Sequence, residues 1–378
     1  MGLASVEVVV AATNMKATLL AGLAILPTFV HAENIPERAS ISFKYLDYKD
    51  SQPGLERVSV KAPSARVLLP FADEWVIDAG LTFDAISGAT PTYHSEKTSA
   101  ASLEDERTVK DLRITRYFQN STVSVSRTRS SESDYISDAQ SVSGTYSTES
   151  RNTTFSWGIG EAKDTINVPA FDVNDRKKNT IDIMLGITQV ITPVDIFQVS
   201  MTAYNGRGFY SDPYKQGELE YGRPRHREGA ALLGKWNHHF VDNGTTLRTS
   251  YRYYRDSFDI RSHTVTGEWV IPYQAWSFTP SLRLYTQTAA AFYVDPQNAP
   301  LPTFNISNSP YFSQDQRLSA FGARTLGMKV ARQWGKNWLF DVKYEDYQQK
   351  SKWALSGNSP GIDTFDAKVW QFGITHFF

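Results

Sequence analysis

Serine and histidine together can make a nucleophile and its base, so Ser262, His263 and His238 are the first residues to weigh. Ser262 and His263 are sequence neighbours in a segment that alternates like a strand, which sends their side chains to opposite faces. They cannot form a hydrogen-bonded pair. His238 projects from the same kind of segment close to a short turn, and no serine accompanies it. The chain has no G-x-S-x-G elbow, no phosphate loop and no HExxH pair. Cysteine is absent, so no thiolate can hold a metal or haem, and acid-rich calcium loops are missing as well. No metal, cofactor or catalytic residue is therefore expected. A membrane-embedded hydrolase built on His238 or His263 stands only as a third reading.

A second group of residues is defined by charge. Lys44, Asp78, Asp84, Asp111, Arg113, Lys235, Arg248, Arg252, Arg283, Gln287, Lys329, Asp341, Lys343 and Glu345 all fall on the polar phase of alternating segments. In a wide barrel such a set lines the lumen, where it either tunes the selectivity of a pore or forms a lattice of ion pairs bracing the wall. A third group lies in Tyr204–Glu228, which mixes aromatics, glycines and a basic cluster. Asp212, Tyr214, Lys215, Arg223, Arg225 and Arg227 are its candidate site residues. One reading is an inward constriction, or an anion-binding surface for phosphates of lipopolysaccharide or of a solute. The other is a surface loop whose arginines pair with nearby acids. Tyr251–Asp256 runs to the adjacent outer end of a strand, so the two elements are placed to meet.

The elements that must position these residues are strands. Trp75, Ile77, Ala79, Leu81 and Phe83 alternate with Asp78, Gly80, Thr82 and Asp84, and the same two-residue period recurs in Thr245–Asp256 and Trp338–Lys350. One face thus meets an apolar phase and the other meets water. The chain has 378 residues, 19 Tyr, 21 Phe and 9 Trp, yet its mean hydropathy is negative. That combination excludes a helical membrane protein and suits a barrel, in which every second residue faces lipid. Connections expected to be tight, such as Phe71-Ala72-Asp73 and Asp242-Asn243-Gly244, alternate with expected long loops at 87–107, 162–178, 206–227, 291–315 and 351–365. Tight periplasmic turns alternating with long external loops predict an all-β, transmembrane, antiparallel up-and-down barrel of roughly sixteen strands, with fourteen as the fallback. Trp75, Trp236, Trp269, Trp276, Trp334 and Trp338 cluster near the expected tight turns, as in the aromatic girdle of a membrane interface.

Both ends of the chain carry transport signals. Met15–Ala32 has a basic start at Lys16, an apolar run and a small-x-small site at Val30-His31-Ala32, which reads as a secretory signal peptide too short to span a bilayer. Residues 1–32 are thus expected to be removed, with translation starting at Met15 if the upstream start is called too early, and 33–378 to form one barrel. At the other end Trp370, Phe372, Ile374 and Phe378 share one face of a final strand. A terminal aromatic on such a strand is expected to engage the outer-membrane barrel-insertion machinery by strand addition. His376 departs from the apolar pattern. Lysine plus arginine (39) and aspartate plus glutamate (40) balance, and nothing suggests nucleic acid.

Several strings go beyond this general pattern: Ser211–Lys215 (SDPYK), Arg223-Pro224-Arg225, Tyr251–Asp256 (YRYYRD), Ser262-His263-Thr264, Arg283–Tyr293 (RLYTQTAAAFY) and Arg317–Ala323 (RLSAFGA). Together they resemble the uncharacterised outer-membrane family catalogued as Domain of Unknown Function 3570. The resemblance implies a barrel in the outer membrane of a Gram-negative bacterium, in contact with outer-membrane lipid and lipopolysaccharide, and supplies no catalytic residue. A channel or transport-type barrel for small solutes is the leading expectation. The alternative is a closed barrel whose external loops bind a partner.

Overall fold

A computed structural model of the chain describes residues 34–88, 105–213, 222–297 and 310–378. The first eight strands are β1 (Ser40–Gln52), β2 (Leu55–Phe71), β3 (Trp75–Gly88), β4 (Asp105–Tyr117), β5 (Ser121–Ser131), β6 (Tyr135–Ser147), β7 (Thr153–Val168) and β8 (Val173–Thr192). They are followed by β9 (Asp195–Gly208), β10 (His226–Phe240), β11 (Thr245–Asp256), β12 (Arg261–Tyr273), β13 (Trp276–Gln287), β14 (Phe321–Trp334), β15 (Trp338–Lys350) and β16 (Phe365–Phe377). Each pairs antiparallel with its neighbours in sequence, and β1 pairs with β16 from Ser40↔Phe377 to Ser51↔Asp366, closing the barrel. The sixteen strands and their up-and-down order are those the alternation predicts. Residues 1–32, the expected export signal, lie outside the described residues.

The two-residue period becomes two faces. Phe43 and Tyr45 on β1, Val123 and Val125 on β5, and Ile181, Ile183, Leu185 and Ile187 on β8 point outward and are exposed. Large apolar side chains exposed on a continuous wall are stable only against lipid. Toward the outer rim this belt gives way to charge on the same outward phase: Asp47 and Lys49 on β1, Arg127 and Arg129 on β5, and Lys177 on β8. The opposite phase carries hydroxyls, small residues and ions. Near the short turns at 72–74, 274–275 and 335–337, Trp269, Trp276, Trp334 and Trp338 are exposed outward and Trp75 is half-buried on the same outward phase. An indole there buries its ring in acyl chains and keeps its N–H at the headgroups. Trp236 differs: its indole N–H donates to Asp195 (2.9 Å).

Three expectations need correction. The expected long loop at 162–178 is instead the projecting end of the β7–β8 hairpin, turned over Pro169–Phe171 with Asp172 left-handed (φ 57°). Its many charges suggest a loop, but alternation persists: Ala162, Asp164, Ile166 and Val168 are buried inward, while Glu161, Lys163 and Thr165 face out. Tyr135, Ile166, Val168 and Val173 pack with Phe171 and Phe209 beneath the hairpin. Strict alternation of tight turns and long loops also fails, because four outer connections (53–54, 132–134, 169–172 and 257–260) are short. Lastly, a strand expected from residue 316 begins at Phe321. Gln316–Leu318 forms a 3-10 turn capped by Asp315, which accepts the Arg317 N–H (2.9 Å).

The closing seam is locked at its inner rim. Arg38 donates to the carbonyls of Lys336 (2.7 Å), Phe377 (2.9 Å) and Phe378 (3.3 Å), and the Phe378 N–H donates to Ala39 O (3.0 Å). On the outside of β16, Trp370 and Phe372 stack (6.2 Å). His376 lies between Trp338 (4.2 Å) and Phe378 (4.8 Å), which gives the imidazole an aromatic setting at the interface.

Candidate functional site

All fourteen residues of the charged set project from the inner phase of their strands, and they sort into two kinds. Some are engaged with one another. Arg66 on β2, which the sequence reading overlooks, grips Asp78 with two hydrogen bonds (2.6 and 2.7 Å) and approaches Asp111 at 3.9 Å. Asp111 folds flat against the wall because its rung partner is Gly80, where a Cβ would stand 2.3 Å from the carboxylate oxygen. Asp84 pairs with Arg107, and Lys343 with Glu345 (2.9 Å). Lys235 and Glu268 are also engaged. Others make no ion pair among the described residues: the cations Lys44, Arg113, Arg248, Arg252, Arg283 and Lys329, and the acids Asp182 and Asp341. The inner wall is thus partly a lattice and partly a field of open positive charge.

The open charge is densest on β11 to β15, where long and short side chains alternate from strand to strand. Arg252 and Tyr254 on β11, Arg283 and Tyr285 on β13, and Tyr347 on β15 reach inward. Between them β12 offers Thr264 and Thr266, and β14 offers Ala323 and Thr325. The register places Arg252, Thr264 and Tyr285 on one rung, and Arg283, Thr325 and Tyr347 on the next. Arg252 lies over the Tyr254 ring (5.1 Å). The Tyr285 and Tyr347 hydroxyls donate to Gln287 Oε1 (2.7 Å) and Gln349 Oε1 (2.9 Å), which hold both rings in place.

Above this level the outer connections pack into a cap. Phe258, Ile260, Ala290, Phe292 and Leu318 are buried together, with Tyr210, Tyr254 and Tyr293 against them. Gln287 ties the wall to the cap by donating to the carbonyls of Arg317 (2.9 Å) and Ser319 (2.7 Å). Arg223 and Arg317 both donate to Asp315, and Arg317 also reaches Asp212 (2.8 Å). Asp315 has no exposed surface. Burial alone would lower the Arg317 pKa, but the charges of Asp315 and Asp212 reverse this and raise it above its ordinary value. Tyr210 is pushed up to about 12, chiefly by burial and then by the nearby Tyr204.

The loop candidates divide accordingly. Asp212 and Arg223 join the ionic knot, Arg225 is exposed, and Tyr214 and Lys215 lie outside the described residues. Arg227 turns inward from β10, donates to Asp256 Oδ2 (3.0 Å from Nε) and lies over the Phe258 ring (4.5 Å). Asp256 also accepts the Phe258 and Ile260 N–H groups (3.0 and 3.1 Å) and the Tyr254 hydroxyl (2.8 Å), and Tyr204 in turn donates to Tyr254 (2.6 Å). Tyr251–Asp256 and the basic segment therefore do meet. Asp315 and Arg317 are missing from the sequence candidates. Their signal is the Arg317–Ala323 string, which begins inside the knot. Ser262 is buried inward, whereas His263 is outside and bonded to the Tyr251 hydroxyl (2.7 Å). His238 bonds to Asp195 (2.8 Å).

Residues 92–366 match the model of DUF3570, a protein family of unknown function. The chain belongs to this family. No curated protein sequence matches this DUF3570 member. Among solved structures, a bacterial polysaccharide outer membrane secretin is similar, with a TM-score of 0.51 at 10% identity over 92% of this chain and 100% of that one. CdiB from Acinetobacter baumannii gives 0.48 at 9% identity over 88% of this chain, and the DUF3570 chain spans only 60% of its length. OccK11 from Pseudomonas aeruginosa gives 0.46 at 9% identity over 90% and 96% of the two chains. At these identities the shared property is the fold, that of an outer-membrane β-barrel.

Proposed function

We propose that this DUF3570 protein is an integral outer-membrane channel through which small polar solutes cross. The observation that supports this most is the division of one closed wall into an apolar outer belt and an inner face holding charge outside any ion pair among the described residues. Charges facing lipid would be costly, whereas charges facing a hydrated lumen set the field that a solute crosses. In this reading residues 1–32 direct export and are removed. Trp370, Phe372, Ile374 and Phe378 present the last strand to the insertion machinery, and Arg127 and Arg129, just above the belt, face the phosphates of lipopolysaccharide. Purified protein in a planar bilayer gives stepwise conductance if the reading holds. Silence across salts and voltages sinks it.

A second reading, a closed barrel whose loops bind a partner, is favoured by the buried ionic knot in the cap. It expects surface binding to disappear when the 209–225 connection is shortened, with the barrel still folded. Hydrolysis is a third reading and needs lipid or ester turnover that replacement of His238 or His263 abolishes.

A further inference from the structure

Several inward arginines of this barrel have an acid: Arg66 has Asp78, Arg107 has Asp84 and Arg227 has Asp256. Arg252 and Arg283, like Arg113 and Arg248, make no ion pair among the described residues. Arg252 and Arg283 lie two strands and one inward-facing position apart in register, and both keep part of their surface exposed. Two neighbouring guanidiniums without a counter-charge are unfavourable unless an anion is shared between them. The flanking strands carry short side chains, Thr264 and Thr266 on β12 and Ala323 and Thr325 on β14. The Tyr285 and Tyr347 rings, held by Gln287 and Gln349, share the rungs of the two guanidiniums. Planar guanidinium forks match a carboxylate or phosphate, and threonine hydroxyls add donors.

The geometry points to an oxyanion-binding station at Arg252 and Arg283, flanked by Tyr285 and Tyr347, that selects small anionic solutes, carboxylates foremost, beneath the external cap. This rests on the channel reading and names its solute class. The flat tyrosine walls favour an anion carrying an aromatic or other apolar body over a bare ion.

The test combines calorimetric binding to the detergent-purified full chain with reversal potentials in a tenfold potassium chloride gradient. Sodium benzoate, sodium acetate and inorganic phosphate are the probes. Benzoate is expected to bind most tightly, and Arg252→Gln or Arg283→Gln to weaken it about tenfold or more each. Wild type should be anion-selective, with the double Gln variant losing that preference. Arg283→Lys keeps the charge but not the fork, so it should retain anion selectivity while losing oxyanion binding. Lys49→Gln, on the outer face, controls for general charge loss and should change neither readout. Tighter binding of phosphate than of benzoate would overturn the carboxylate assignment. Conductance with unchanged selectivity and unchanged binding in the double Gln variant would overturn the station and leave the channel standing. Benzoate binding lost in the Gln variants but without any conductance would leave the station standing and remove the channel.

Discussion

Asp256 should be the most sensitive position in the outer half of the barrel. Its carboxylate is fully buried and receives the Arg227 guanidinium, the Tyr254 hydroxyl and the Phe258 and Ile260 N–H groups. Asp256→Ala strands the Arg227 cation against Phe258 with no counter-charge and frees two backbone donors of the 257–260 turn. Breaking a buried ion pair from one side costs roughly 3–5 kcal/mol, and each orphaned donor adds about 1–3 kcal/mol where it stays dry. Water reaching the opened turn offsets some of the second contribution, so a loss of about 4 kcal/mol is expected. Asp256→Asn keeps an oxygen for the turn donors and should lose about half as much. Removing Arg227 as well, as Arg227→Met, should recover part of the loss, because the uncompensated charge goes with it. The measurement is urea unfolding and refolding of the purified barrel in lipid vesicles, run as a double-mutant cycle on these two residues. A loss below about 1 kcal/mol for Asp256→Ala, or strictly additive single changes, would refute the view that this pair organises the outer rim.

Other expectations follow from single contacts. Tyr210, held up to about 12 by burial in the cap, keeps its proton when an unfolded tyrosine loses it near pH 10. The folded state then binds more protons, so stability should fall as pH rises from about 10 to 12, and Tyr210→Phe should flatten that decline in pH-dependent urea titrations. Gly229 lies on the rung between Tyr204 and Asp256, and a Cβ there would stand 2.8 Å from the Tyr204 ring. Gly229→Ala is expected to break the Tyr204–Tyr254 hydrogen bond and cost about 1–3 kcal/mol, with Tyr204→Phe costing less; unfolding midpoints decide. Deleting Phe378 removes the ring beside His376 and one acceptor of Arg38. It should lower the amount of barrel recovered in the outer membrane while leaving refolding in vesicles nearly unchanged, and equal effects in both assays would argue against recognition of the last strand.

Much of this architecture is legible in the sequence because a strand that separates lipid from water must alternate, and sixteen strands do so here. Legibility fails where alternation and charge disagree. In Glu161–Lys178 the outward phase clears the membrane and becomes charged, so a hairpin looks like a loop. Arg66 is as readable as Asp78 by phase alone and is missed for want of a reason to single it out. The ionic knot is unreadable for a different reason. Arg223 and Asp315 are 92 residues apart, and Asp212 and Arg317 are 105 apart, and no local period relates them. Equally, the lack of an ion pair at Arg252 and Arg283 among the described residues depends on what the neighbouring strands do not supply.

The seam between β1 and β16 has a consequence for quality control. Each inner strand finds a partner already beside it in the chain, but β1 must wait for β16, and Arg38 for the carbonyls of Phe377 and Phe378. A polypeptide cut short before β16 can form every earlier hairpin and still have two raw sheet edges, open to proteases and to strand pairing with other chains. Closure therefore works as a length check made at the membrane, passed only when the last strand arrives.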